Sequence, residues 1–215
     1  MMNIQTMPVG SYQCNCSILS CEDTMEAIII DPGDEGDRLV KLVEERGFKI
    51  KFLLHTHAHR DHIGGTRRVK EKCGGKIVLH KDDMYLYDTC ELQSQMMGLP
   101  LCSAPPVDKF LEDEEHYGFG SFHVKAIHTP GHTPGSSSFL RSAGSDQVLF
   151  AGDTLFRRSV GRTDLPGGNF KTLAKSVRKR LFTLDGDTVV IPGHGPASTI
   201  GEEVHENPFV GKKHI

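Results

Sequence analysis

The chain predicts an α/β protein in which helices pack outside β-sheets. Three observations carry this. Apolar runs of strand length recur at 27–30, 50–54, 77–79 and 148–150. Amphipathic stretches of helical period stand between them, at 37–46, 64–72 and 170–181. The two kinds of segment interleave through both halves of the chain, with no internal repeat and no shift in composition to mark a boundary. A length of 215 residues fits one domain over residues 1–215.

The elements follow in order. Residues 16–20 and 27–30 are strands, the second ending in the turn Asp31-Pro32-Gly33. Residues 37–46 form a helix with Leu39, Val40 and Val43 on one face and Gly47 as its stop. Residues 50–54 make a buried strand that runs straight into a histidine cluster. A helix at 64–72 closes at Gly74-Gly75, and 77–79 is another buried strand. Residues 88–108 have no clear period and contain Pro100, Pro105 and Pro106; they hold at most a short helix around 92–97. A loop of that length in a compact domain is often a lid or binding loop. Residues 109–111, 119–127, 137–140 and 148–150 are mostly antiparallel strands, followed by the helix at 170–181 and a strand at 188–191.

Composition excludes several classes. The net charge of −3 gives no general reason to expect nucleic acid or an anionic membrane as partner. The basic cluster at 171–180 is the solvated side of a helix, because Leu173, Val177 and Leu181 recur every four residues. The first residues lack a basic segment followed by an apolar run, and no apolar stretch is long enough to span a bilayer. Six cysteines at 14, 16, 21, 73, 90 and 102 form no C-x-x-C pair, which reads as reduced thiols in a cytoplasm. Cys14 and Cys16 share one face of a strand as small buried side chains.

The chemistry lies in His57-Ala58-His59-Arg60-Asp61-His62, three imidazoles and a carboxylate in six residues. That donor density fits a transition metal. Further donors sit in turns after strands: His132 in Thr129-Pro130-Gly131-His132-Thr133, Asp153 in Gly152-Asp153-Thr154, and His194 in Pro192-Gly193-His194-Gly195. Seven donors on four loops at one edge of a sheet are enough for two metals. Alternate residues of an extended loop point the same way, so His57 and His59 reach one ion, while Asp61 and His62 reach a second. The Asp153 carboxylate can bridge the two, and a metal pair about 3.5–4 Å apart can share a hydroxide. Asp61 can orient that hydroxide. His55 reads as packing at a strand end, and His80, His116, His123, His128, His205 and His214 have no ligand-like context.

These motifs resemble the metallo-β-lactamase superfamily over essentially the whole chain. The resemblance implies a four-layer αβ/βα sandwich, two mixed sheets flanked by helices, with metals at the sandwich edge. It assigns His57, His59 and His132 to the first metal, Asp61, His62 and His194 to the second, and Asp153 to both. Asp31 becomes a residue that steadies the histidine loop. The metals are two divalent ions, zinc foremost, with iron or manganese able to substitute.

Within the superfamily, residues 129–136 and 151–156 and the pair Gly161-Arg162 are similar to the hydroxyacylglutathione hydrolases, the glyoxalase II group. That similarity makes Arg162 a substrate-carboxylate ligand and implies hydrolysis of a small glutathione-linked thioester by metal-activated water. A thiolate with pKa about 8.5 leaves without a strong acid. The chain lacks the C-terminal helical extension of the longer enzymes and carries Asp164 where an aromatic residue is common, which places it with the short bacterial forms. The alternative from another reaction class is a persulfide dioxygenase, with one iron on His57, His132 and Asp153 oxidising glutathione persulfide. Oligomeric state leaves no mark on the sequence.

Overall fold

The computed structural model describes residues 1–143 and 146–212. Two six-stranded sheets stack face to face, each with helices on its outer side. The first sheet contains β1 (Met2–Val9), β2 (Cys14–Cys21), β3 (Glu26–Ile30), β4 (Lys49–Leu54), β5 (Lys76–Leu79) and β6 (Lys109–Phe110), in that order. Its first three strands are antiparallel, and β3 through β6 run parallel. On its outer face lie α1 (Gly36–Arg46), α2 (Arg60–Ile63), α3 (Thr66–Cys73), α4 (Met84–Tyr87) and α5 (Cys90–Met97).

The second sheet begins with the hairpin β7 (His116–Phe119) and β8 (Phe122–His128), then β9 (Ser137–Ala143) and β10 (Asp146–Gly152). A small ribbon of β11 (Leu155–Phe156) and β12 (Ser159–Val160) stands apart from it. After α6 (Phe170–Ser176) come β13 (Val189–Pro192), β14 (Ser198–Thr199) and α7 (Ile200–Glu206). The order across this sheet is β14-β13-β10-β9-β8-β7, with β10 and β13 parallel and the other pairs antiparallel.

Alternation along the strands explains the layers. In β3, Ala27 and Ile29 pack with Leu39, Val40 and Val43 of α1, while Ile28 and Ile30 face the second sheet. In β5, Ile77 and Leu79 turn to the helices, and Val78 to the opposite sheet. In β10, Phe150 enters the core between the sheets, and Leu149 and Ala151 pack with Leu173, Val177 and Leu181. Strands buried on both faces need continuous apolar runs, which is why these segments stand out in the sequence. Phe139 sits at the centre with no exposed surface; burying such a side chain is worth about 1.5–3 kcal/mol.

The structure refines several sequence expectations. Residues 119–127 are not one strand but a hairpin that turns at Gly120, whose φ of 58° suits glycine. The expected helix at 64–72 begins earlier, as a helical turn over Arg60–Ile63 followed by α3. The helix expected over 170–181 becomes a π-helical turn after Ser176. Strand β1 and helix α7 escape a pattern search, β1 because its exposure alternates only weakly. Gly47 caps α1 as expected, with φ 68° and its N–H on the Val43 and Glu44 carbonyls.

The cysteine expectation is corrected. Cys90 and Cys102 are joined as a disulfide, with Cα atoms 6.0 Å apart, within the 88–108 segment, whose expected short helix around 92–97 is α5. Twelve residues of spacing carry no recognisable signature; α5 and the returning chain bring the two together. Cys14, Cys16 and Cys21 are buried free thiols. No helix among the described residues is long and apolar enough to cross a membrane.

Candidate metal centre

The seven donors come from four loops, each at the C-terminal end of a strand: the 55–62 loop after β4, the 129–136 loop after β8, Asp153 after β10, and His194 after β13. The turn-borne motifs alone suggest one edge of a sheet, whereas the family resemblance implies the sandwich edge. β4 belongs to the first sheet and the other three strands to the second, so the site straddles the sandwich edge as the resemblance implies.

The change of backbone within the histidine loop sorts its donors. His59 is extended (φ −69°, ψ 147°), and the helical turn of α2 starts at Arg60. The extended part sends His57 and His59 towards His132; the helical part sends Asp61 and His62 towards His194. In each of these triplets, ligand atoms lie within 4.8 Å of one another. His59 Nδ1 and His132 Nε2 stand 2.9 Å apart, and His194 Nε2 is 3.1 Å from Asp61 Oδ2. Asp153 lies between the groups. Its Oδ1 is 3.5 Å from His62 Nε2 and 3.8 Å from His194 Nε2, and its Oδ2 is 3.6 Å from His132 Nε2.

Hydrogen bonds to the outer ring nitrogens set the inward-facing atoms. His132 Nδ1 donates to the Arg162 carbonyl at 2.7 Å, and His194 Nδ1 to the Tyr12 carbonyl at 2.8 Å. Asp31 accepts from the Thr56 backbone N–H (2.7 Å), the Thr56 hydroxyl (2.6 Å) and His62 Nδ1 (2.9 Å). With its proton on Asp31, Thr56 Oγ1 accepts from His57 Nδ1 at 3.0 Å. One carboxylate thus orients two imidazoles, directly and through a hydroxyl. His55 donates and accepts only within the scaffold, to Val78 O and Thr66 Oγ1, as its strand-end position predicts.

The residues fit a pair of cations on a direct test. His57 Nε2 and Asp153 Oδ1 are buried and have no hydrogen-bond partner, although buried polar atoms are normally satisfied. Both point into the cluster. The donor set, imidazole nitrogen and carboxylate oxygen, suits zinc, iron or manganese.

Protonation follows the same geometry. Burial, aided by the neighbouring His62 and His132, holds the His57 imidazole well below its ordinary range. Burial and His132 push His59 down to about 3. Burial opposes the charge on Asp61, but His62 and His194 outweigh it and hold the carboxyl below the usual range. Burial also acts against protonation of His62, yet the surrounding carboxylates of Asp61, Asp153 and Asp31 raise it. Cys14 Sγ lies 3.5 Å from His62 Nδ1; burial pushes its thiol up to about 12, so it is a neutral neighbour on the side away from the cluster.

Arg162 is exposed, its guanidinium held by two bonds of 2.8 Å to Asp164. Two functional groups had no signal in the sequence. Buried Arg60 braces the loop through Asp34 (2.5 Å), Ser94 (2.7 Å) and the Pro100 carbonyl (2.9 Å). Buried Asp83 accepts from Ala58 and Thr133. His80 and His128, without context in the sequence, stack at 4.1 Å, and His116 and His123 also make ring contact at 4.7 Å. His214 lies outside the described residues.

Asp31→Ala is expected to cost about 2–5 kcal/mol, because it leaves buried donors of Thr56 and His62 unpaired. Urea unfolding of the metal-free protein reads it; an unchanged midpoint would remove Asp31 from this role.

Fold and donor set together define the class. The chain belongs to the metallo-β-lactamase superfamily, whose family model matches residues 9–194. Members are metal-dependent hydrolases. Among its relatives, the Haemophilus influenzae protein named hydroxyacylglutathione hydrolase GloC is 39% identical over 99% of this chain and 100% of its own length. Among solved structures, the BLEG-1 B3 metallo-β-lactamase superposes with a TM-score of 0.88 at 36% identity, covering 97% of this chain and 99% of that one. TTHA1623, solved in a di-iron-bound form, gives 0.86 at 37% identity over 95% and 99%.

Proposed function

We propose that the protein hydrolyses thioesters of the S-2-hydroxyacylglutathione type at a dinuclear metal site. One observation carries the reading: two triplets of donors joined by an aspartate whose oxygens face opposite triplets. The near full-length relation to a hydroxyacylglutathione hydrolase supports the substrate class. His57, His59 and His132 would hold one ion, Asp61, His62 and His194 the other, and Asp153 both.

When bound, such a pair supplies an activated water and positive charge for the developing oxyanion. The chain's own part is orientation. Asp61, which lies 3.1 Å from His194 Nε2, is the carboxylate that would orient the reacting water. Asp31 and the carbonyls of Tyr12 and Arg162 keep the imidazoles in one tautomer. His194, with 27% of its side chain exposed, marks the side from which substrate enters. The leaving thiolate, with a pKa of about 8.5, needs no strong acid. The second reading is a persulfide dioxygenase with one iron on His57, His132 and Asp153; the near full-length relation to a hydroxyacylglutathione hydrolase favours the hydrolase.

The test is steady-state hydrolysis of S-D-lactoylglutathione by the zinc-loaded protein. A kcat/KM of about 10⁴ M⁻¹s⁻¹ or more supports the reading. No turnover with metal bound, joined to oxygen uptake by the iron-loaded protein on glutathione persulfide, would replace it.

Arg162 is proposed to meet a substrate carboxylate by exchanging it for Asp164. Arg162→Ala is expected to raise KM about two- to five-fold, the worth of one exposed ion pair, with kcat unchanged. The carbonyl that orients His132 remains in that variant. Unchanged KM would remove the role.

A further inference from the structure

We propose that Asp83 is a positioning residue for the first metal group alone, the single carboxylate on which the loops bearing His57, His59 and His132 are both hung. The inference rests on the metal reading above but not on the substrate. Asp83 follows β5, directly before α4, and is fully buried. Its Oδ2 accepts from the Ala58 backbone N–H at 3.1 Å and the Thr133 hydroxyl at 2.8 Å. Its Oδ1 accepts from the Gly135 backbone N–H at 2.6 Å. Ala58 lies between His57 and His59, and Thr133 follows His132. The three bonds therefore tie both metal loops to Asp83, one from 25 residues before it and the other from 50 and 52 residues after it.

The fit is close. A Cβ on Gly135 would lie 2.6 Å from Asp83 Cγ, so the 129–136 loop can approach the carboxylate only with glycine there. All three partners are donors, which selects a carboxylate over an amide. Asparagine offers one oxygen, and its NH₂ would face an N–H or hydroxyl donor. The second group is oriented by other residues: His62 by Asp31 and His194 by the Tyr12 carbonyl. Among the described residues, Asp83 has no hydrogen bond to either histidine or to its orienting partner. Its effect should therefore be selective, unlike that of a general scaffold residue.

The experiment measures zinc affinity of the metal-free, full-length protein by competition with a chromophoric chelator. Asp83→Asn is placed in two backgrounds: His62→Ala, which retains the first group, and His59→Ala, which retains the second. In the first, zinc affinity should fall about 10- to 100-fold, the usual effect of losing an orienting partner. In the second, it should stay within about twofold, because the partners that orient His62 and His194 are Asp31 and the Tyr12 carbonyl, not Asp83. Equal losses in both backgrounds, or none in the first, would overturn the proposal. If Asp83→Asn does not fold by circular dichroism, Thr133→Val, which removes one donor and keeps the carboxylate, should show a smaller loss confined to the first group; no loss overturns it. Absence of thioester turnover with these zinc affinities intact would count against the proposed activity and leave the role of Asp83 standing.

Discussion

Asp153→Ala is expected to lower thioester kcat/KM by about 1,000-fold or more and to leave less than two zinc ions per chain. Among the described residues, Asp153 is the one whose oxygens face both triplets, with Oδ1 towards His62 and His194 and Oδ2 towards His132. Without it, two cations a few ångströms apart would repel across a gap with no negative charge between them. Polarising an acyl oxygen and activating water is worth several kcal/mol, and each 1.4 kcal/mol is about tenfold in rate. Metal analysis and steady-state kinetics on the same preparation read both effects. Wild-type rates in this variant would remove the dinuclear mechanism.

Gly193→Ala should be nearly as damaging, although glycine contributes no donor. A Cβ at this position would overlap Asp153 Oδ1 and come within 2.9 Å of His62 Cε1. The backbone cannot retreat, because the Gly193 N–H binds the Gly152 carbonyl at 2.8 Å and its own carbonyl binds Asn15 N at 2.7 Å. The bridging carboxylate must move instead. A displacement of about 1 Å at reacting groups costs on the order of 100-fold in rate, and the overpacking about 1–3 kcal/mol of stability. Gly118→Ala is the control: its Cβ would meet nothing nearer than Phe122 O at 3.8 Å. Kinetics and thermal unfolding of the two variants separate the local clash from a general cost of losing glycine; equal behaviour would discount the clash.

Much of the candidate centre was legible because its donors announce themselves locally. Three histidines and an aspartate within six residues, and three further donors in glycine-flanked turns, are short-range patterns. Asp31 illustrates the opposite case. Its turn alone says nothing of its task, which only the family resemblance implies, because its partners Thr56 and His62 lie 25 and 31 residues on. Asp83 and Arg60 went unrecognised for the same reason. An aspartate in Lys81-Asp82-Asp83 and an arginine between ligands look like ordinary surface charges until burial and partners are known. The pairing of Cys90 with Cys102 likewise follows from how α5 folds back, since their spacing fits no motif.

The sequence by itself determined the element types, the apolar strands of a layered α/β fold, and the identity and order of the seven donors. Periodicity and turn chemistry act over a few residues, so the letters carry them directly. The family resemblance implies which donors share a group, and the tertiary structure supplies the long-range contacts behind that grouping. His59 meets His132 from 73 residues away, and His62 meets His194 from 132. Only the tertiary structure decided that Asp31 reaches His62 directly and His57 through Thr56, and that Asp83 ties the 55–62 loop to the 129–136 loop. These contacts are set by the packing of whole layers against one another, and no local pattern encodes that distance.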